Sequence, residues 1–377
     1  MRARSVIPLA AACLGALGAC TGGSPSGSAA PSSCPAAMAV WAASDYSSSA
    51  VGSLSLAGAL TSVTGAVDLG ADPALSVSGG RAFFVARDLD AIFELDGCGA
   101  PKQRFSAHTG TASAMSDPYA VAVASDGKLW IPLYLAAAVL VLNPNGSVAQ
   151  TIDLSSYDSD GNPDASDIAI VDTPAGEKAF VTLGRLNPYP QSVQPSWMLR
   201  IDVPTAQIEA QIVLAGRNPF SITQAGPILW LADPGNFDDA TESDAGIERF
   251  DTSTSTTSLF ASETALGGSV AEVAVSGVCA AAIVAGPATN VNPTALVTFD
   301  PTTGMTLSTV TDSPLATPGF DLEGLAWVSG NLLVGDRQRG TDGYPVHDFA
   351  ATAACDITER ADALVLPLPP VAISPLP

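Results

Sequence analysis

The sequence predicts an all-β fold, a seven-bladed β-propeller of four-stranded antiparallel blades whose ring is closed by a C-terminal strand. Short alternating runs of apolar and polar residues are separated by Gly, Asp, Asn and Pro, a pattern typical of strands and turns. Similar units recur at intervals of about 50 residues, which indicates a repeat architecture. The last residues of the chain resemble the first strand of these units, which suggests a ring joined from both ends.

The clearest unit runs from Asp117 to Leu154. Its four strands are predicted at residues 117–123, 129–132, 138–142 and 148–154. An Asp-Gly pair at Asp126 and Gly127 is a favoured hairpin turn between the first two strands. Turn-forming residues, including Asn145 and Gly146, separate the last two. A four-stranded antiparallel meander of this kind is one blade of a propeller.

The first strand of this unit has counterparts along the whole chain. They begin near Asp72, Asp167, Asn218, Ala271 and Asp321. Together with an N-terminal unit from Met38 this predicts seven blades, while insertions in two units leave six or eight open. The N-terminal unit lacks an innermost strand, and residues 370–374 are a candidate for it. Such closure would remove the exposed edges of the sheets.

The N-terminus has the features of a secretory signal. Arg2 and Arg4 precede an uncharged apolar run over residues 6–18, which is short for a retained transmembrane helix. Leu17-Gly18-Ala19-Cys20 resembles the lipobox of bacterial lipoproteins. That resemblance implies cleavage before Cys20 and acylation of its side chain, so that the lipid bilayer becomes a partner through the acylated Cys20. The alternative is an ordinary signal peptide cleaved nearby.

These features divide the chain into three parts. Residues 1–19 are predicted as the signal peptide, 20–33 as the lipidated cysteine with a flexible Gly/Ser/Pro tether, and 34–377 as the propeller. In Gram-negative lipoproteins an Asp after the lipidated cysteine often marks retention at the inner membrane. Thr21 stands there, so we expect an exported protein anchored to the outer membrane, on either face.

The composition excludes some partners. The formal net charge of −22 at pH 7 repels nucleic acid and anionic lipid head groups, so no nucleic-acid partner is expected. The strongly acidic surface favours cations or basic partners. With 47% hydrophobic and only 14% charged residues, the chain is predicted to be globular rather than disordered.

Four cysteines remain after the signal and the lipidated residue: Cys34, Cys98, Cys279 and Cys355. An even number in an exported protein predicts two disulfide bonds, for which three pairings are possible. We favour Cys34–Cys98 and Cys279–Cys355, because each would join neighbouring repeats. No CxxC pair is present, so a zinc ribbon or a thioredoxin-like redox site is not supported.

The repeated units resemble NHL, YVTN and SMP-30-like propellers of six to eight blades, and more closely the propeller lipoproteins of environmental bacteria. The resemblance covers residues 38–377 and rests on runs such as DPALSVSGGRAFFV and DLEGLAWVSGNLLVGDR. It implies a propeller fold and an envelope location. It implies no particular reaction.

A calcium site is predicted in the acidic turn between two of the units. Its ligands would be Asp158, Asp160, Asn162, Asp164 and Asp167, since oxygen atoms at alternate residues around a turn suit this hard cation. The run resembles the calcium loops of integrin-type FG-GAP propellers. It departs from them at Pro163, which replaces a glycine, and by one inserted residue before Asp167. The alternative is an Asx-rich turn without metal.

A second candidate site is the mouth of the central channel, where polar residues begin the innermost strands. Glu323 and Asn218 resemble two metal ligands of SMP-30-type lactonases, which would make the chain a divalent-metal-dependent lactonase or hydrolase. Other features of that family are missing, since Tyr119 and Ala120 follow Pro118 where Asp-Gly is expected. The alternative is that these polar residues only cap strands.

Other catalytic chemistry finds little support. The sequence has no GxSxG nucleophile elbow and only two histidines. Trp130, Trp230 and Trp327 occupy equivalent places in their repeats and are expected to pack between blades. Trp197 lies in a Pro-rich insertion and is predicted as an exposed ligand contact. We therefore expect an envelope binding or interaction module, with the metal-dependent lactonase as the alternative and the ligand unknown.

Overall fold

The computed structural model describes residues 37–376 except 56–59, 64–66, 111–113, 238, 240, 278, 287–292 and 361–363. The chain divides into two units, Met1–Ser33 and Cys34–Pro377, and the described residues all belong to the second. The predicted signal peptide, lipidated Cys20 and the tether lie outside the described residues. So does Cys34.

The described strands form seven antiparallel sheets, numbered here as blades 1–7 in chain order. Blade 1 contains β1 (Ala39–Ser44), β2 (Ser49–Leu54) and β3 (Leu60–Val63). Blade 2 contains β4 (Pro73–Ser78), β5 (Arg81–Ala86), β6 (Ala91–Leu95) and β7 (Pro101–Ser106). Blade 3 contains β8 (Ala122–Val123), β9 (Leu129–Leu133), β10 (Ala138–Leu142) and β11 (Val148–Asp153). Blade 4 contains β12 (Ala165–Thr173), β13 (Gly176–Leu183), β14 (Trp197–Asp202) and β15 (Gln207–Val213).

The remaining blades follow the same order. Blade 5 contains β16 (Ser221–Ala225), β17 (Ile228–Asp233), β18 (Gly246–Asp251) and β19 (Thr256–Ser262). Blade 6 contains β20 (Ser269–Ser276), β21 (Cys279–Ala285), β22 (Thr294–Phe299) and β23 (Ala316–Thr317). Blade 7 contains β24 (Leu322–Val328), β25 (Asn331–Asp336), β26 (Tyr344–Ala351), β27 (Ile357–Glu359) and β28 (Leu364–Leu366). The prediction of seven four-stranded antiparallel blades is confirmed, and blade 7 carries β28 as an additional partner of β26.

The ring is closed by the final strand, β29 (Pro370–Pro375), which is the innermost strand of blade 1. It pairs antiparallel with β1, so that Trp41 lies opposite Ile373 and Val40 opposite Ser374. The predicted closure by a C-terminal strand is therefore confirmed. Because one blade is built from both ends of the chain, opening the ring would break backbone hydrogen bonds within that blade.

The core of the molecule lies between the blades. Seven clusters of buried apolar side chains occur among the described residues, one at each interface of consecutive blades, including the interface of blade 7 with blade 1. Trp130 belongs to the cluster between blades 3 and 4, and Trp230 to the cluster between blades 5 and 6. Trp327 packs against the cluster between blades 6 and 7. The expected packing between blades is confirmed for these residues. Their predicted equivalence is wrong for Trp327, which lies on an innermost strand, β24, whereas Trp130 and Trp230 lie on the second strands β9 and β17.

One predicted disulfide bond joins two blades. Cys279 in β21 of blade 6 is bonded to Cys355, which follows β26 of blade 7, with their Cα atoms 5.1 Å apart. The predicted pairing of these two residues is confirmed. Cys98 also carries a disulfide bond. Its predicted partner, Cys34, lies outside the described residues, so the Cys34–Cys98 pair stays a prediction.

Helical structure is confined to short segments in the described part of the chain. Two 3₁₀ turns span Arg87–Leu89 and Ser155–Tyr157, and one helical turn, α1, spans Glu263–Leu266. None of these segments is long and apolar enough to cross a lipid bilayer.

Candidate functional site

The central channel opens at one end into a cavity of about 840 Å³. The first residues of the innermost strands line it, and their later residues line a second cavity of about 540 Å³. The two cavities share several lining residues, among them Asp167, Ile222 and Leu325, so they are successive parts of one channel. We call the larger cavity the channel mouth.

Aromatic side chains form an arc along one side of the channel mouth. Its members are Tyr119, Phe220, Phe237 and Phe320, and Tyr134 packs behind Tyr119 with ring centroids 5.2 Å apart. The centroids are 5.8 Å apart between Tyr119 and Phe220, 6.0 Å between Phe220 and Phe237, and 6.3 Å between Phe237 and Phe320. These three contacts are edge-to-face, a favourable arrangement for phenyl rings. Phe220 is 39% and Phe320 42% exposed, so the arc offers apolar surface.

Three members of the aromatic arc have the same origin in the repeat. Tyr119, Phe220 and Phe320 each stand just before an innermost strand, where the chain turns from one blade into the next. The first two follow a proline, preceded by Asp117 (φ 52°) and Asn218 (φ 59°). Asp and Asn tolerate this left-handed backbone better than other non-glycine residues do. A Pro-aromatic pair at the blade boundary is therefore a sequence signal from which part of the arc could have been predicted.

Phe237 comes from the loop between β17 and β18, which a hydrogen-bond network holds in place. The carboxylate of Glu242 accepts from the backbone N–H of Asn236 (2.6 Å) and from its side-chain amide (2.9 Å). The Arg217 guanidinium bonds both to Glu242 and to the carbonyl oxygen of Ser192 (2.5 Å each). Since Ser192 belongs to the β13–β14 loop, two neighbouring blades hold the loop that carries Phe237.

Two carboxyl groups of the innermost strands bind backbone N–H groups of the following blade. Asp167 in blade 4 accepts a hydrogen bond from the N–H of Ile222 in blade 5 (2.7 Å). Glu272 in blade 6 accepts from the N–H groups of Gly324 and Leu325 in blade 7 (2.7 and 2.9 Å). Innermost strands have one unpaired edge, and these carboxyl groups provide acceptors for it.

Neutral side chains make the same kind of contact elsewhere in the ring. Ser76 of blade 2 accepts from the N–H of Val121 in blade 3 (3.0 Å). Thr223 of blade 5 donates to the carbonyl oxygen of Val273 in blade 6 (2.6 Å). Polar residues within the innermost strands therefore link consecutive blades, a role that depends on their neighbours in space and that the sequence analysis missed.

Four carboxyl groups line the channel mouth, and we call them the channel carboxyl groups: Asp72, Asp167, Glu272 and Glu323. Burial raises the pKa of Asp167 to about 7, that of Glu272 to about 8 and that of Glu323 to about 7. Burial also raises the pKa of Asp72. The backbone N–H groups around Asp167 and Glu272 act in the opposite direction, but the loss of hydration outweighs them.

Arg87 stands on one side of the channel mouth. Its guanidinium bonds to Asp117 through Nε (2.9 Å) and to Asp72 through Nη1 (3.2 Å). The same group lies over the ring of Tyr119, 4.0 Å from the centroid. Arg87 therefore holds the beginnings of blades 2 and 3 together and joins the aromatic arc to the channel carboxyl groups.

Arg337 stands behind the lining of the mouth, where blade 7 meets blade 1. It forms an ion pair with Glu323 (2.5 Å), donates to the carbonyl oxygen of Pro370 (3.1 Å) and lies 4.8 Å from the ring centroid of Tyr46. Blade 7 is thereby tied to both chain ends that form blade 1. Both guanidinium groups at the mouth have carboxylate partners and aromatic neighbours.

The two residues of the predicted channel metal site have different partners. Glu323 lines the channel mouth and pairs with Arg337. The side-chain amide of Asn218 donates to the carbonyl oxygen of Gly235 (2.9 Å) and is not part of the mouth lining. Within the described residues, no group of three or more His, Cys, Asp or Glu side chains is arranged to hold a metal ion. The lactonase alternative stays a prediction.

The predicted calcium ligands likewise serve different partners. Asp158 accepts from the side-chain amide of Gln194 (2.8 Å), and Asp164 accepts from the N–H of Leu186 (2.7 Å). Asp160 accepts from the N–H of Asn162 (2.9 Å), as in an Asx turn. Asp167 points into the channel. Residues 158–164 are called the acidic turn below, and calcium binding there stays a prediction.

The expected exposure of Trp197 is wrong. It is the first residue of β14, only partly exposed, and it packs against the core between blades 3 and 4. The Arg185 guanidinium covers its ring at 3.4 Å from the centroid, and Tyr157 meets it edge-on at 6.5 Å. The Pro-rich insertion ends before this residue, so Trp197 belongs to the strand and not to the loop.

No family model and no curated protein matches the chain. Solved structures resemble it. A protein from Lactobacillus plantarum is 15% identical, with a TM-score of 0.59 over 90% of this chain and 99% of that one. A putative 6-phosphogluconolactonase from Bacteroides uniformis is 14% identical, with a TM-score of 0.55 over 89% and 98%. A streptogramin B lyase is 15% identical, with a TM-score of 0.51 over 80% and 86%.

The chain is a seven-bladed β-propeller protein. The resemblance to propeller families predicted from the sequence is confirmed for the fold. At this level of identity the similarity shows the fold alone, because one propeller scaffold carries many unrelated functions. A function for this propeller has to be argued from the channel mouth itself.

Proposed function

We propose that the chain is a lipid-anchored envelope protein whose propeller binds a small ligand in the channel mouth. The observation that carries the proposal is the mouth cavity of about 840 Å³ with the exposed rings of the aromatic arc on its wall. Ligand sites are typically concave, mostly apolar and equipped with a few polar groups, and the mouth has all three properties.

The channel mouth is also held rigidly, which favours binding. Its walls are innermost strands of a closed ring, and ion pairs or hydrogen bonds link Arg87, Arg337 and Arg217 to neighbouring blades. A site that is already ordered loses little conformational entropy when a ligand binds. Residues carried on connections of a rigid scaffold often supply binding sites, which supports a site where the blades begin.

A screen with ligand-observed NMR tests the binding site. The probe is a mixture of small organic compounds. It is added to the chain from Thr21 onwards, because this part of the chain contains all the described strands of the seven blades. We expect that compounds which give a binding signal with the native chain give none with the variant in which Phe220 and Phe320 are both changed to Leu. Tyr189→Leu is the matched control, because Tyr189 is 81% exposed and lies outside the mouth lining. Hits that bind equally well to the double variant would contradict the proposal.

The lipid anchor rests on the N-terminal sequence and has its own test. Cys20→Ala should abolish incorporation of a labelled fatty acid, because the acyl chains are attached to that residue. Cys13→Ala is the control, since Cys13 lies inside the predicted signal peptide. Labelling of the native chain, with loss only in Cys20→Ala, is the expected result. An unlabelled native chain would show that the N-terminus is an ordinary signal peptide.

Calcium at the acidic turn is a secondary part of the proposal. The buried Oδ1 atom of Asn162 has no hydrogen-bond partner among the described residues, and Asp160 is exposed. These oxygens are free to coordinate a cation. Asp158 and Asp164 would have to exchange their present partners, so any binding is expected to be weak.

A further inference from the structure

We propose that the ligand of the channel mouth is an organic cation with an apolar body, seated on the aromatic arc with its charge towards the channel carboxyl groups. The proposal rests on the binding function given above and adds the class of ligand. It draws on three properties of the mouth: its aromatic surface, its balance of charges, and the geometry of its carboxyl groups.

The aromatic surface suits a cation because ring faces attract positive charge within about 6 Å of the centroid. The mouth already uses this interaction twice, with Arg87 over Tyr119 and Arg337 over Tyr46. Among the described residues, no cationic side chain lies over Phe220 or Phe320. Their exposed surface is therefore available to a cation brought by a ligand, and also to its apolar body.

Carboxyl groups outnumber guanidinium groups at the mouth. The charged side chains that line it are Asp72, Arg87, Asp167, Glu272 and Glu323. Their ion-pair partners behind the lining are Asp117 and Arg337. Five carboxyl groups thus face two guanidinium groups, and each guanidinium is already paired. An anionic ligand would meet no free positive charge, whereas a cation would meet carboxyl groups that lack a cationic partner.

Asp167 and Glu272 are the carboxyl groups without a cationic partner. Each is held by backbone N–H groups, and a carboxylate accepts about four hydrogen bonds, so acceptor capacity remains. Their burial disfavours the charged form in the empty channel. A cation in the mouth would supply the missing counter-charge and stabilise the ionised carboxylates.

Two probe ions of nearly the same size and shape separate charge from apolar contact. Tetraphenylphosphonium is the cation and tetraphenylborate is the anion, and maltotriose serves as a neutral ligand that stacks on aromatic rings. Titration calorimetry is performed on the chain from Thr21 onwards. We expect tetraphenylphosphonium to bind at least about tenfold more tightly than tetraphenylborate, with no comparable binding of maltotriose.

Variants locate the bound cation. Phe320→Leu should weaken cation binding by about fivefold, because it keeps an apolar side chain but removes the ring. Asp72→Asn should weaken it by about threefold, since solvent screens a carboxylate whose side chain is 44% exposed. Asp126→Asn is the matched control. It removes one charge at the Asp-Gly turn of blade 3, outside the mouth lining, and should leave the affinity unchanged.

Proton release gives a second readout that a merely apolar site would not show. Because the cation favours ionised Asp167, Glu272 and Glu323, its affinity should rise between pH 6 and pH 9 and its binding should release protons. Release is measured by calorimetry in two buffers of different ionisation enthalpy. The other titratable or charged groups that face these carboxyl groups are Asp72, Asp88, Asp117, Arg87, Arg337, Tyr46 and Tyr119.

The outcomes separate the ligand class from the binding function. Equal affinity for both ions, or tighter binding of tetraphenylborate or maltotriose, would overturn the cation proposal. If the binding of tetraphenylborate or maltotriose still weakened in Phe320→Leu, the mouth would remain a binding site for another class of ligand. Cation binding that Phe320→Leu and Asp72→Asn leave unchanged would overturn both proposals. Selective cation binding that is lost in these variants and accompanied by proton release would support both.

Discussion

The carboxyl groups of the acidic turn and those of the channel differ in the groups that donate hydrogen bonds to them. In the turn, buried Asp158 accepts from the side-chain amide of Gln194 in the β13–β14 loop, and exposed Asp160 accepts from the N–H of Asn162 in its own loop. In the channel, Asp167 and Glu272 accept hydrogen bonds from the backbone of the following blade. The turn carboxylates stabilise blade 4 and the loop that leads into it. The channel carboxylates connect blades and face an open cavity, which makes them relevant to both stability and binding.

The largest effect is expected from Glu272→Ala. The change leaves the N–H groups of Gly324 and Leu325 without an acceptor, and water in the channel replaces it only in part. We expect a loss of about 2 kcal/mol in the free energy of unfolding, measured by urea denaturation. Asp160→Ala in the exposed turn should cost less than about 1 kcal/mol.

Equal losses in Glu272→Ala and Asp160→Ala would break the comparison between the two regions. A loss confined to Asp160→Ala would reverse it. Glu272→Gln keeps one acceptor oxygen and should lie between Glu272→Ala and the native chain.

The next effect is a dependence of stability on pH. The pKa values of Asp167, Glu272 and Glu323 are about 7, 8 and 7 in the folded chain, well above the values of about 4 typical of unfolded chains. Between these limits the folded state binds more protons than the unfolded state. The contribution of these groups to the free energy of unfolding is therefore complete below about pH 4 and is lost as the pH rises towards 8.

Urea midpoints at pH 5, 6, 7 and 8 measure this dependence. The midpoint should decrease with pH, and Glu272→Gln should flatten the decrease because one titrating group is removed. Asp160→Asn is the control for loss of a surface carboxylate, and its urea midpoint should change with pH as steeply as that of the native chain. A midpoint that rises over this range would contradict the raised pKa values, because it would mean that burial in the folded chain does not disfavour the ionised carboxyl groups.

The smallest effect is expected from calcium. At several times its dissociation constant, calcium bound at the acidic turn would add about 1 kcal/mol to the free energy of unfolding. Thermal melts with calcium and with a chelator measure the change, which should vanish in Asp160→Ala. Calcium stabilisation that survives Asp160→Ala and disappears in Glu323→Gln would move the cation to the channel and reverse the comparison. No change in the native chain would leave the turn as an Asx-rich connection without metal.

Much of the fold was predictable because it depends on local patterns. Strand alternation, Asp-Gly and Asn-Gly turns and a regular repeat predicted the blades, and the strand-like residues near Pro370 predicted ring closure. The site was predicted only in part. Glu323 was placed at the channel from its position at the start of a strand and lines the mouth. Asn218 lies before β16, and its amide bonds to the carbonyl oxygen of Gly235. Spacing along the chain does not reveal which partner in space such a side chain meets.

The sequence by itself determined a propeller of repeated four-stranded blades and a C-terminal closing strand, because both follow from periodicity. The count of seven blades and the Cys279–Cys355 pairing were each favoured among several alternatives, and the tertiary structure decided them. The tertiary structure alone decided which side chains meet across blades. Phe220, Phe237 and Phe320 come from different connections and form one aromatic arc only after the ring has closed. Contacts between such distant segments depend on backbone direction and packing in three dimensions, and a linear pattern carries no information on either.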